Sequence, residues 1–137
     1  MSESLEEKTD YIICPVRNVT EEEREIIYHY VVRLESTGKT VHYPPRDVEQ
    51  DKDEIGIEIL SKHRKAMKDC WRVHIFFNET SKGSLHDLGM AFVLDKPIYL
   101  INRADVEKKA VAGKKSFENV LLYLDDKARK EYGNPLN

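Results

Sequence analysis

Residues 72–102 read RVHIFFNETSKGSLHDLGMAFVLDKPIYLIN. Two short, largely apolar runs rich in strand formers, RVHIFF at 72–77 and PIYLIN at 97–102, flank a polar loop and a helical stripe of Leu85, Leu88 and Phe92. A helix between two strands makes a crossover rather than a hairpin, so the strands run parallel and the connection is right-handed. Parallel strands are buried on both faces, which accounts for runs that are nearly continuous instead of alternating.

The same unit repeats toward the start of the chain. Tyr11 to Val16 (YIICPV) reads as a first buried strand, after a tail over residues 1–10 that lacks periodicity. Thr20 to Glu23 has the form of a capping box, and Ile26, Ile27, Tyr30, Val31 and Leu34 then fall on one helical face. Gly38 is placed to stop that helix, and Lys39 to Tyr43 (KTVHY) reads as the second strand, closed by Pro44 and Pro45. Arg46 to Asp53 reads as a loop. From Glu54 to Cys70 a second stripe contains Ile55, Ile59, Leu60, His63, Ala66 and Met67. Asn78 to Gly83 forms a polar loop, Ser84 opens the third helix, and Ser116 to about Arg129 forms the last. Strand and helix thus alternate four times, which predicts an α/β fold: a small Rossmann-like or flavodoxin-like three-layer domain with a parallel sheet of four to five strands. Residues 11–137 are expected to form one domain.

Composition narrows the function classes. The chain has 137 residues, 40% hydrophobic and 34% charged, and 22 Lys and Arg against 25 Asp and Glu give a net charge of -3. The cations are scattered, so no nucleic-acid polymer is expected as a partner. No run approaches the roughly 20 apolar residues of a membrane helix. The start, MSESLEEKTD, is acidic where a secretory signal would be basic and then apolar, so a cytoplasmic protein is expected. Cys14 and Cys70 lack the number and spacing of a disulfide framework or a zinc site and read as buried thiols. No metal and no cofactor is expected: there is no GxGxxG or Walker sequence, and Glu21, Glu22 and Glu23 crowd the helix start where a phosphate would otherwise sit.

Ligands of such folds bind outside the carboxyl ends of the strands, which here means Pro15 to Thr20, Tyr43 to Asp47, Asn78 to Asp87, and Asn102 with Arg103. Arg17 reads either as a solvated loop cation or as a partner for a monophosphate. Within Ser81 to Ala91, Gly83 relieves a tight turn and Ser84 with Asp87 fits a capping box. On spacing the capping reading leads; the positive end of the helix also favours an ionised Asp87, which would suit a nucleophile and ill suit a general acid. His63 lies on an apolar stripe and reads as a core histidine or as an acid or base. His29, His42, His74 and His86 suggest less. Trp71 and Phe76 read as core, and residues 133–137 as a fraying tail or a contribution to a neighbouring subunit.

The segment HIFFNETSKGSLHDLGMAFVLDKPIYLI, with YIICPVR at the first strand and VHYPPRD at the second, resembles the nucleoside 2-deoxyribosyltransferase superfamily over residues 11 to about 103. The shared pieces are a polar loop, a Gly, a carboxylate followed by Leu-Gly-x-Ala, and Lys-Pro before a strand. The resemblance implies cleavage or transfer at the N-glycosidic bond of nucleosides or their 5'-monophosphates. Asp87 would attack the anomeric carbon and form a glycosyl-enzyme intermediate, as in retaining glycosidases. It further implies that Pro15, Arg17, Asn18, Ser81 and Gly83 line the sugar and its 5' end, that Tyr43, Arg46 and Asp47 lie near base or sugar, and that the chain forms a homo-oligomer. Two positions differ from the family pattern. Its nucleophile is usually Glu, so Asp87 reaches about 1.5 Å less, and the second acidic residue of many members aligns with His63. A non-catalytic nucleotide-binding or sensor module on the same fold is the alternative.

Overall fold

The computed structural model describes residues 9–49 and 54–137. Its elements, in order, are β1 (Thr9–Ile13), α1 (Glu21–Ser36), β2 (Thr40–His42), α2 (Pro44–Asp47), α3 (Ile57–Asp69), β3 (Arg72–Ile75), α4 (Lys82–Val93), β4 (Ile98–Leu100), α5 (Arg103–Lys109) and α6 (Phe117–Tyr132). All pairings are parallel and the strand order is β2-β1-β3-β4. The expected small Rossmann-like α/β domain with a parallel sheet is therefore present, with four strands.

Alternation along each strand builds a core on either face of the sheet. Tyr11, Ile13, Val73, Ile75, Ile98 and Leu100 meet Met67 of α3 and Leu88 and Ala91 of α4 on one face. On the other, Ile12, Val41 and Phe76 meet Ile27, Val31 and Leu34 of α1. Burying an aliphatic side chain of this size contributes roughly 1.5–3 kcal/mol, and that is what holds the helices to the sheet.

Local signals set the helix ends. Thr20 Oγ1 accepts from Glu23 N and Glu23 Oε1 accepts from Thr20 N, each at 3.0 Å, completing the expected box. Gly38 has φ 90 and turns the chain just beyond Ser36 and Thr37. Lys96 donates to the carbonyls of Cys70, at 2.6 Å, and Lys68, at 3.1 Å, so the Lys-Pro pair ties β4 to the end of α3.

Several expectations are corrected. β1 begins at Thr9, inside the expected tail; residues 1–8 lie outside the described residues. The strands are shorter than their apolar runs. Pro44 and Pro45 do not lead into a loop but open the one-turn helix α2, where a missing N–H costs nothing at the first helical positions; residues 50–53 of the expected loop also lie outside the described residues. α5 went unanticipated because its seven residues carry too little apolar pattern. The last five residues are not frayed: Pro135 is buried and Leu136 packs against the α1 face.

A buried polar network lies among the apolar layers. Arg72 Nε and Nη2 donate to the two oxygens of Asp10 at 2.9 and 3.0 Å, and the Arg72 guanidinium lies 4.4 Å from the Trp71 ring centroid. Tyr30 Oη and His74 Nδ1 share a hydrogen bond at 2.7 Å, and with the tyrosine as donor the His74 proton lies on Nε2. That nitrogen stands 3.3 Å from Asp10 Oδ2, off the line of a hydrogen bond. At the far edge, Asp125 accepts from Leu100 N at 2.8 Å and from Arg103 and Arg129, so α6 closes the open side of β4. Among the described residues no helix is long and apolar enough to cross a membrane.

Burial holds the His74 imidazole below the ordinary histidine range. The Asp10 carboxyl would be raised by its burial, but the adjacent His74 ring and the Arg72 guanidinium bonded to it outweigh this and hold it below its usual value. For both groups the unfolded chain takes up protons first, so stability is full at neutral pH and falls on acidification. We expect the urea midpoint to drop below about pH 6.5, where unfolded histidine protonates, and again below about pH 4, the range of unfolded aspartate. His74→Gln should make the upper decline shallower; an unchanged slope in that variant contradicts the assignment.

Candidate active site

The cap of α4 lies three residues before the serine expected to open the helix. Ser81 is the N-cap: its Oγ accepts from Ser84 N at 3.3 Å and donates to Ser84 Oγ at 2.9 Å. Gly83 consequently sits in the first helical turn, and a Cβ there would meet nothing within 4 Å, so no tight turn requires it. The expected Ser84 to Asp87 capping box is absent. Ser84, Asp87, Leu88 and Ala91 instead form the buried stripe of α4, which turns Asp87 toward the sheet.

Asp87 is 4% exposed, and its partners come from three elements. Tyr11 of β1 donates its hydroxyl to Oδ2 at 3.0 Å. His63 of α3 places Nδ1 3.2 Å from Oδ2 and 3.4 Å from Oδ1. The neighbouring His86 lies 3.5 Å from Oδ1 on the more open side. Burial, and next the negative charge of Asp87, pushes the Tyr11 phenol far above its ordinary value, so Tyr11 remains a proton donor to the carboxylate. Cys14 lies nearby, and burial together with the Asp87 charge pushes its thiol up to about 12.

His63 and Asp87, the two catalytic positions that the resemblance implied, are thus brought together. Two further members of the cluster were missed. Tyr11 packs its ring 5.0 Å from His42 and 6.3 Å, edge on, from His63. Its place in a strand of otherwise aliphatic residues was the available signal, since a buried tyrosine hydroxyl requires a partner. His42 had no signal beyond strand alternation. Nε2 of His42 and Nε2 of His63 are both closed from solvent without a hydrogen-bond partner. His74 Nε2 is in the same condition on the opposite face, so what marks this cluster is that two such nitrogens lie around one carboxylate.

The remaining candidates divide. Pro15 is buried at the end of β1, while Arg17 and Asn18 are exposed, Asn18 with φ 57; Arg17 has no ion pair among the described residues. Tyr43 is buried and its N–H donates to Asp47 Oδ2 at 2.8 Å, closing the turn of α2. Arg46 is committed to the scaffold. It bonds Asp47 and Glu35, and donates to Val41 O at 3.0 Å, and the Asp47 bond foremost raises its pKa. Asp47 would be raised by burial, but the Arg46 bond and the Tyr43 N–H bring it below the usual range. Arg46 and Asp47 therefore shape the β2 edge and leave little charge for a ligand. Among the described residues no group of three or more metal-ligating side chains converges.

No family model matches the sequence and no curated protein matches it. Among solved structures the chain is similar to a CMP N-glycosidase of Clostridium botulinum, BcmB, with a TM-score of 0.49 and 22% identity over 68% of this chain and 67% of that one.

Burial, only partly offset by the charge of Asp47, holds His42 below the ordinary histidine range. A two-dimensional NMR titration should place the midpoint of its ring below about 6.5, the ordinary histidine value. A midpoint at or above the model-peptide value contradicts that environment.

Proposed function

We propose that this chain cleaves the N-glycosidic bond of a nucleoside or nucleotide, with Asp87 as the nucleophile. The observation that carries the reading is the buried Asp87 carboxylate fastened by Tyr11 and His63 beside two unpartnered imidazole nitrogens. A carboxylate oxygen attacks the anomeric carbon while the bond to the base breaks, giving a glycosyl ester on Asp87. The nearby negative charge stabilises the oxocarbenium-like transition state, and splitting the reaction in two lowers each barrier. Tyr11 fixes the direction of the carboxylate, and that precision matters because Asp is shorter than Glu; an error of about 1 Å costs on the order of 100-fold.

His63 completes the proton account. With Nδ1–H directed at Asp87, its Nε2 carries the exchangeable proton. The imidazolium gives that proton to the departing base; the neutral ring then takes one from water, which hydrolyses the ester. A second base in place of water yields transfer. Pro15, Arg17, Asn18, Ser81 and Gly83 surround the sugar and its 5' end in this reading, with Tyr43 toward the base.

The site is further proposed to be finished by a second copy of the chain. Ile57 and Leu60 are exposed on α3, the helix that carries His63, and a subunit contact would cover them. Light scattering after gel filtration should give a dimer or larger, and Leu60→Asp should return a monomer. A wild-type monomer at micromolar concentration removes this part.

A second reading, a non-catalytic nucleotide-binding or sensor module, draws on one observation: both oxygens of Asp87 are occupied and the group is almost closed from solvent. Incubation with a panel of 2'-deoxynucleosides and their 5'-monophosphates, with free base measured by chromatography, separates the two. We expect base release that falls by at least about 1,000-fold in Asp87→Asn, the scale for loss of a covalent nucleophile, and a sugar adduct on Asp87 by mass spectrometry. Tyr11→Phe should lower kcat with little change in KM. Release at full rate from Asp87→Asn eliminates the nucleophile, and binding without release establishes the module.

A further inference from the structure

Away from Asp87, a groove of about 780 Å³ runs between the end of α4 and the first half of α6, within the size range of small-molecule sites. Its walls are Phe92, Phe117, Val120, Tyr123 and Leu124. Phe92, Phe117 and Tyr123 are each more than half exposed, so the fold itself does not consume this apolar surface. The polar lining gathers around the start of α6: Lys114, Lys115, Ser116 and Asn119.

That start is built, not loose. Asn119 Nδ2 donates to Val111 O at 2.8 Å and to Lys114 O at 2.6 Å, Ser116 Oγ accepts from Asn119 N, and Gly113 turns the chain with φ 74. Lys114 and Lys115 are exposed and form no ion pair among the described residues. The 16-residue helix α6 adds the positive end of its dipole at the same place. Glu118, the acid of its first turn, lines a different cleft with Glu23 and Asp105. Positive charge therefore lies at one end and apolar wall along the rest, from Phe117 to Leu124, about 10 Å of helix.

We propose that this groove binds a free, single-chain anionic amphiphile of the fatty-acid class, its carboxylate at Lys114 and Lys115 and its chain along Phe117, Val120 and Tyr123. The charge layout selects against neutral and cationic chains of equal length. The site is independent of the glycosidic reading, since none of its residues touches Asp87.

Titration calorimetry with sodium decanoate, below its micelle-forming concentration, tests the proposal on the full chain. Saturable one-to-one binding is expected, with no binding of decyltrimethylammonium. Reversing both charges, Lys114→Glu with Lys115→Glu, should weaken decanoate about tenfold or more, since tenfold corresponds to only about 1.4 kcal/mol. Val120→Asp, at an exposed helix position, should abolish binding with an unchanged circular dichroism spectrum. Four results overturn the proposal: no saturable decanoate binding; equal affinity in the charge-reversed variant; binding to anionic phosphatidylglycerol vesicles but not to decanoate; or a stable dimer that Val120→Asp converts to monomer, which makes the groove a contact between copies.

Discussion

Asp10 and Arg72 are opposite each other in the register of β1 and β3, the two central strands, and join through two parallel hydrogen bonds in the interior. A buried pair of this kind adds little net stability against an apolar alternative, but leaving either charge unpaired costs several kcal/mol. Its effect is therefore on register. Shifting β1 by one residue would separate the charges and move every side chain of the strand to the other face. Tyr11 would then leave the α3 and α4 side, and Asp87 would lose its phenolic donor. The geometry of the candidate site thus depends on a pair of charges that does not touch it.

Both faces of the sheet carry buried polar groups. On the α1 side, Arg72 is bonded to Asp10 and Tyr30 to His74, whose ring stacks on Tyr99 at 5.3 Å, while His74 Nε2 is left without a hydrogen-bond partner. On the α3 and α4 side, Asp87 is held and the outer nitrogens of His42 and His63 are likewise without partners. The two faces differ in access: Asp10 and His74 are closed off completely, whereas the Asp87 cluster borders the half-exposed His86. A ligand can approach the second group and not the first.

Much of the fold was legible along the chain because its signals are local. The Thr20 and Glu23 box, the Gly38 stop and the apolar runs each act within a few residues, and all recur in the structure. The serine that caps α4 was misplaced for the same reason. Ser84 and Asp87 satisfy a local pattern as well as Ser81 does, and the choice was made by Tyr11, 76 residues away, drawing the carboxylate inward. Tyr11 and His42 became visible only when β1 and β2 were paired. Arg46, attractive in sequence as a free cation near a strand end, is engaged by Glu35, 11 residues earlier on a separate helix.

The seal that α6 places on β4 also bears on truncation. Without α6, the N–H of Leu100 would lose the Asp125 carboxylate that accepts from it. The β4 edge would then present a row of open backbone groups to any extended segment nearby. A chain shortened before residue 117 is therefore exposed to association along that edge, on the side of the sheet farthest from β2.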